Sequence, residues 1–341
     1  MTRSTEMMIA LILMIFAGMP DNSSADGEDL SVSAELLRQG DDLFNSEKIE
    51  DAVKVYIQAA ETAESRGNKS DLTEAYSQVA RCYLKLERID EGRPWLEKAR
   101  EKASPDDSSG WSRYLGVRGR FEWKDAAKLK GELSPETDRA SNTFKEMHDY
   151  CLNHGLYERA IDAANMVSIT GMKSERAIWA QKGIEAAETG NLESWLAPLW
   201  NNLGWAYDDL GRYDESLQAL KKARVYHYKK GDELSMIIAD WSVGHAYRMC
   251  GKIDSSETIL RSVQKLAMIR KGEEKSPENA EWFGFANLEL GELALRRGDR
   301  AEALKLFKVA YSNLHEAGMN EWDAKKFKEL NDRILELARN K

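Results

Sequence analysis

The sequence predicts an all-α solenoid, about seven helix pairs stacked in line and closed by a C-terminal capping helix. Three observations lead there. Hydrophobic residues make up 42% and charged residues 31% of the 341, with only 6 prolines and abundant Ala, Leu, Glu and Lys, a balance that favours helix over strand. A small residue then recurs as Gly40, Ala80, Ala164, Gly204, Gly244 and Gly291, three of the five intervals being 40; the interval of 84 after Ala80 hides one divergent repeat, so there are seven. Finally, Gly67-Asn68, Gly190-Asn191, Gly211-Arg212, Gly231-Asp232, Gly251-Lys252 and Gly298-Asp299 punctuate the periodic segments as turns.

The first residues read as an address rather than as structure. Arg3 and the amino terminus outweigh Glu6, and Met7 to Met19 runs apolar without a charge, too short to span a bilayer comfortably. Gly18 and Pro20 break a continuing helix, and Ser23-Ser24-Ala25 offers small residues where a signal peptidase reads. Cleavage after Ala25 is expected, with export to the periplasm or beyond the cell; an uncleaved membrane anchor is the alternative. Residues 26–32 then form a short linker and 33–341 the solenoid, with no membrane span after cleavage.

Helix pairs are expected at 33–45 with 48–66, 71–86 with 88–103, 107–130 with 136–154, 157–170 with 173–189, 193–210 with 213–230, 233–250 with 253–271, and 277–297 with 300–317. In each, the small marker residue lets the second helix cross close to the first. Tyr83, Tyr207 and Tyr247, three residues later, fill the space beside it, and Ala52 or Ala303 admits the next contact. One pair alone leaves an apolar face exposed, and stacking buries it. The third pair, about 107–154, departs most: Trp111, Phe121 and Trp123 lack the regular spacing, and Gly131 to Pro135 interrupts it with an unusual loop. A last helix, 321–339, places Phe327, Leu330, Ile334 and Leu337 on one stripe and Lys325, Lys326, Lys328 and Arg333 elsewhere, as a solvated cap would.

From Trp200 the chain reads Trp200, Leu203, Gly204, Tyr207, Gly211, then Tyr213, Leu217, Leu220 and Ala223. This pattern resembles the tetratricopeptide repeat, with Ser216 where Ala is usual and Leu220 in place of an aromatic residue. The resemblance covers nearly the whole chain after the export signal and is sharpest in repeats one, two, five, six and seven. A spacing near 40 is longer than the common repeat of about 34 and resembles extended members of the superfamily.

The resemblance implies a right-handed α-α superhelix with a concave groove. It also implies that helix A positions two, five, six, nine, twelve and thirteen line that groove. Carried onto this sequence, repeat five presents Asn201, Asn202, Trp205 and Asp208, and repeat six presents Trp241, Ser242, His245 and Arg248. Repeat four adds Asn165 and Ser168, and repeat two adds Arg81. Trp205 and Trp241 are expected either as aromatic anchors for a partner or as packing against the neighbouring repeat. Asn202 would bond an extended backbone and Arg248 an acidic group. The carboxylate-clamp pattern of chaperone-binding relatives is incomplete, because Ile161 and Ile238 stand where its Lys residues would be and Ser242 where its Arg would.

Signatures of chemistry are weak by comparison. Gly251-Lys252 lacks the strand, the Gly spacing and the hydroxyl of a phosphate loop, and Ser262 with Lys265 lies mid-helix without companion motifs. His148, Cys151 and His154 drift around their helix by roughly 240°, which keeps the two imidazoles off a common tetrahedral centre. Asp41-Asp42, Asp208-Asp209 and Glu273-Glu274 are adjacent pairs that point about 100° apart. The three cysteines, Cys82, Cys151 and Cys250, have no close spacing and read as packing residues. A net charge of -9 without a long basic stretch opposes nucleic-acid binding. The expected function is a non-enzymatic scaffold, without cofactor or metal, that binds a peptide or helix of a partner protein. The alternative is a ligand-sensing regulatory module for a small molecule or short peptide, and an enzyme is a distant third.

Overall fold

The computed structural model describes residues 31–128 and 135–339, and among these it contains sixteen α-helices and no strand. The export signal expected at 1–25, nearly all of the linker and the interruption expected from Gly131 lie outside the described residues. The pairs are α1 (Val32–Asn45) with α2 (Ile49–Arg66), α3 (Lys69–Lys85) with α4 (Ile89–Lys102), α5 (Ser108–Lys128) with α6 (Pro135–Asn153), and α7 (Tyr157–Thr170) with α8 (Lys173–Thr189). A 3₁₀ turn, Glu193–Trp195, follows. Then come α9 (Leu196–Asp209) with α10 (Tyr213–Lys230), α11 (Glu233–Met249) with α12 (Ile253–Glu273), α13 (Pro277–Arg296) with α14 (Arg300–Glu316), and the short α15 (Met319–Trp322) before α16 (Ala324–Arg339).

Local chemistry fixes many of these ends. The side chains of Ser31, Asn68, Asp232, Ser276 and Asp299 each accept a hydrogen bond from the backbone N–H three residues on, satisfying a donor that the first helical turn would leave orphaned. Left-handed glycines such as Gly67 (φ 69°) and Gly231 (φ 76°) close the far ends. At the expected Gly190-Asn191 turn it is Asn191 that takes the left-handed conformation (φ 55°), while Gly190 stays at φ -81° with Tyr157 packed against it.

The helices group into two compact units, one ending at Trp195 and the other beginning at Leu196. In each, successive helices pack on one another, and A helices of neighbouring repeats also touch, as α1 with α3, α3 with α5, and α11 with α13. The marker residues do what the spacing predicts: Gly40 lies against the Tyr56 ring, Gly204 against Leu220, Gly244 against Leu260 and Gly291 against Phe307, each partner 16 residues on. A Cβ at Gly204 would stand 2.5 Å from Leu220 Cγ, so the crossing has no room for one. The divergent third repeat keeps a marker of its own, Gly119, where a Cβ would meet the Phe144 ring at 2.8 Å. Its crossing is of the same kind, but α5 runs on to Lys128, the A–B connection is longer and α6 starts at Pro135, which together move the partner from 16 to 25 residues away.

Two expectations need correction. Tyr83, Tyr207 and Tyr247 only half fill their gaps: each stays partly exposed, with Arg88 5.0 Å, Arg212 4.5 Å and Lys221 4.9 Å from the respective ring centroid. The capping segment is not one helix. Gly318 (φ 80°) starts α15, and Asp323 then breaks the backbone and accepts from Lys326 N at 3.1 Å to begin α16. The stripe Phe327, Leu330, Ile334 and Leu337 is buried as expected, with Phe327 stacked on Tyr311 at 4.3 Å. Among the described residues no helix is long and apolar enough to cross a membrane.

Candidate functional site

The helix A positions picked from the sequence converge within each compact unit, and most of them do so by burying against the next repeat. In residues 196–339 an aromatic row runs from Trp205 on α9 to Trp241 and His245 on α11, to Trp282 and Phe285 on α13, and to Trp322 on α15. The Trp205 and Trp241 rings stack at 5.8 Å, Trp241 meets Trp282 edge-on at 5.5 Å, and Phe285 meets Trp322 at 6.5 Å. Trp205 and Trp241 are therefore inter-repeat packing, 7% and 4% exposed. The indole Nε1–H groups of Trp205, Trp241 and Trp282 are buried without an acceptor among the described residues.

A charge network lies against this row. His245 Nδ1 is 3.0 Å from Glu289 Oε1 and its Nε2 is 3.5 Å from Asp208 Oδ1, an ion pair longer than a hydrogen bond. Arg248 donates to both Glu289 oxygens, at 2.5 and 3.1 Å, and Arg296 donates to the Arg248 carbonyl at 2.7 Å. Burial opposes the charge on His245, but Glu289 and Asp208 outweigh it and push the imidazole up to about 9. Burial likewise opposes ionisation of Glu289, yet His245 and Arg248 hold its carboxyl far below the usual range. At neutral pH two anions and two cations thus share a water-poor seam across repeats five, six and seven.

The remaining expected residues are placed as follows. Asn201 and Asn202 on α9 are buried, as are Asn165 and Ser168 on α7 and Ser242 on α11. The Ser168 and Ser242 hydroxyls donate to carbonyls of their own helices, Asn165 O at 2.7 Å and Ile238 O at 2.9 Å. Arg81 on α3 lies over the Phe44 ring, 4.3 Å from its centroid. Around it residues 31–195 form a second polar cluster that sequence reasoning missed: Glu74 on α3, Arg113 and Arg120 on α5, Arg159 and Asp162 on α7. Running positions two, six and nine through repeats two, three and four, with Gly119 as the third marker, would have found Glu74, Arg113, Arg120 and Asp162. The same positions in repeat seven would have found Phe285 and Glu289.

The metal-like trio does not converge. His148 is buried edge-on to Trp179 at 5.0 Å, with Nδ1 2.9 Å from Asp149 Oδ1. His154 stacks on Tyr150 at 4.1 Å. Cys82 and Cys151 are free, buried thiols, pushed up to about 12 by burial, and Cys250 is free at the end of α11.

Two family models of the tetratricopeptide repeat match the sequence, over residues 37–108 and 197–223. The chain belongs to the tetratricopeptide-repeat superfamily. Its fold is similar to that of a signal-transduction ATPase with numerous domains carrying a tetratricopeptide-repeat sensor, from Pyrococcus horikoshii, at a TM-score of 0.63 and 15% identity. That match covers 89% of this chain but 43% of the archaeal one, so this chain spans less than half of that protein. A tetratricopeptide-repeat protein from Parabacteroides merdae is similar at TM-score 0.50 and 14% identity, covering 89% of this chain and 98% of the other. BtubC from P. vanneervenii is similar at TM-score 0.52 and 13% identity, over 71% and 94%. At these identities the likeness is one of fold. No curated protein matches the sequence.

Proposed function

We propose that this tetratricopeptide-repeat chain is an exported, non-enzymatic scaffold that binds a peptide or helix of a partner protein along its A helices. One observation carries the reading: within each compact unit, side chains at equivalent A-helix positions of successive repeats meet in a continuous polar and aromatic row. The first row runs from Phe44 and Arg81 to Asp162, the second from Asp208 to Glu289. Such a row offers hydrogen-bonding and charged groups at the repeat spacing, which suits an extended or helical ligand. The buried members set the spacing, and the partly exposed ones, Asp208, His245, Arg248 and Arg81, make the contact.

The test is capture from the native envelope with a photo-cross-linking residue in place of Met249, at A-helix position thirteen of repeat six, or in place of Met268, exposed on the B helix α12. A partner joined through position 249 and not through 268 is the expected result. The reverse pattern would move the contact to the B helices. Export is tested separately by mass spectrometry of protein from its host, which should find Asp26 at the amino terminus; intact Met1 in a cytosolic fraction would overturn it.

Ligand sensing is the second reading, favoured by the three buried indole N–H groups that lack acceptors among the described residues, beside the Asp208–Glu289 network. It predicts that low-mass host extract, free of protein, raises the melting temperature.

A further inference from the structure

Two B helices of the second unit carry a surface that the repeat assembles from separate stretches of sequence. From Ser216 to Gly231 the chain has no acid and five Lys or Arg, and from Thr258 to Gly272 no acid and four, in a chain whose net charge is -9. Neither stretch is long by itself, but the interval of 40 makes the two equivalent: Lys221 corresponds to Arg261, Val225 to Lys265, Tyr228 to Met268 and Lys229 to Ile269. Both α10 and α12 pack on α11, and Arg270 of α12 donates to Glu233, at the start of α11, at 3.0 Å, which brings the end of α12 to the connection that follows α10. Val225 and Lys265 stand two residues past the buried Ala223 and Val263, and two residues turn a helix by about 200°, so both point away from the A helices. Of the twelve exposed large hydrophobic side chains among the described residues, five lie here: Val225, Tyr228, Leu266, Met268 and Ile269. Cations in a last turn complement the helix dipole, which accounts for Lys229, Lys230, Arg270 and Lys271 but not for Lys221, Lys222, Arg261 and Lys265, set further back.

We propose that this outer face of α10 and α12 docks the chain on an anionic bilayer, with Val225, Met268 and Ile269 in the headgroup boundary and Lys222, Lys229 and Lys265 among the lipid phosphates. Charge complementarity selects the occupant. The arginines of the face are tied to protein carboxylates, Arg224 to Asp240, Arg261 to Glu257 and Arg270 to Glu233, so its outward charge is carried by exposed lysines. A lysine is a compact charge on a flexible stem and suits a fluid array of phosphates, whereas the fixed fork of an arginine suits the ordered carboxylates of a folded protein. At the equivalent positions 225 and 265, and again at 229 and 269, an apolar side chain and a lysine change places, so both kinds are spread over the face as an interfacial surface requires. The A helices are left to a partner peptide, and the proposal goes beyond the scaffold reading without depending on it.

The test floats the full chain with vesicles of phosphatidylcholine containing about 30% phosphatidylglycerol at about 0.1 M salt. Binding is expected, weakened about tenfold or more by Lys222→Gln/Lys229→Gln/Lys265→Gln and weakened also by Val225→Ser/Ile269→Ser. Lys54→Gln/Arg66→Gln/Lys102→Gln, which removes three exposed cations from α2 and α4, should leave it unchanged. Circular dichroism melting of each variant separates lost binding from lost folding. Any contribution of the apolar stretch from Met7 to Met19 is common to every variant and is read on vesicles of phosphatidylcholine alone. Position is read separately: a photo-cross-linking residue in place of Ile269 should form lipid adducts, and one in place of Ile178, likewise exposed on α8 of the first unit, should not. Equal flotation of wild type and the triple-lysine variant, or adducts at 178 as abundant as at 269, would overturn the face. Flotation unchanged by Val225→Ser/Ile269→Ser, with soluble polyglutamate competing at equal charge concentration, would overturn the assignment to a bilayer in favour of an acidic protein.

Discussion

Glu281 sits on α13, where burial, reinforced by the neighbouring Glu278 carboxylate, pushes its acid up to about 7. In the unfolded chain a glutamate ionises near about 4.3. Between these values the folded chain keeps a proton that the unfolded chain has lost. The stability linked to protonated Glu281 is therefore complete below the lower value and lost as pH rises through the higher one. Glu281→Gln should raise the melting temperature by about 2–4 °C at pH 8 and leave it nearly unchanged at pH 4, readable by scanning fluorimetry. His245 shows the opposite use of a raised value, because there it is the charged form that the surroundings favour. Its contribution is complete below about 6.5 and declines as pH rises through about 9, so the penalty of His245→Gln should shrink over that interval. Neither value was legible in the sequence. His245 was marked by its repeat position, but its two carboxylates come from repeats five and seven, and only the stacking brings them together.

At the scale of elements, the A–B turns carry a residual strain that the repeat makes visible. Gly211, Gly251 and Gly298 follow their markers by seven residues and adopt φ of 73°, 71° and 81°. In repeats one and two the same place is held by Glu47 and Glu87, at φ 59° and 57°, where a side chain costs roughly 1 kcal/mol. Glu47→Gly and Glu87→Gly should each stabilise the chain by up to about that amount, measured by urea unfolding. The ion pairs lost are exposed ones, to Lys85 and Lys124, and would subtract little. The seven helix pairs and most of their boundaries were legible because marker, turn and apolar stripe coincide in most repeats. The third marker was not: Gly119 falls 39 residues after Ala80 and 45 before Ala164, and the longer A–B connection hides that division. The break at Asp323 was also missed, since the stripe from Phe327 onward reads as one helix and gives no sign that the cap restarts.

For the whole molecule, contact between neighbouring repeats makes damage local. Gly204→Leu should cost about 1–3 kcal/mol by forcing α9 from α10, and hydrogen exchange should rise in residues 196–339 more than in 31–195. A uniform rise would show one cooperative body instead. The inner faces were legible as positions and not as surfaces: Trp205 and Trp241 stand where a ligand anchor would, and the stacking of repeats turns both inward. The indole row has an optical consequence. Trp205, Trp241 and Trp282 lie close enough for their electronic transitions to mix, and among the described rings such tryptophan neighbours occur only beyond Leu196. Their exciton signal in the near-ultraviolet should vanish with the registry of repeats five to seven while far-ultraviolet helicity persists. The protein therefore carries a built-in chromophore that reports on half of its own chain, without any label.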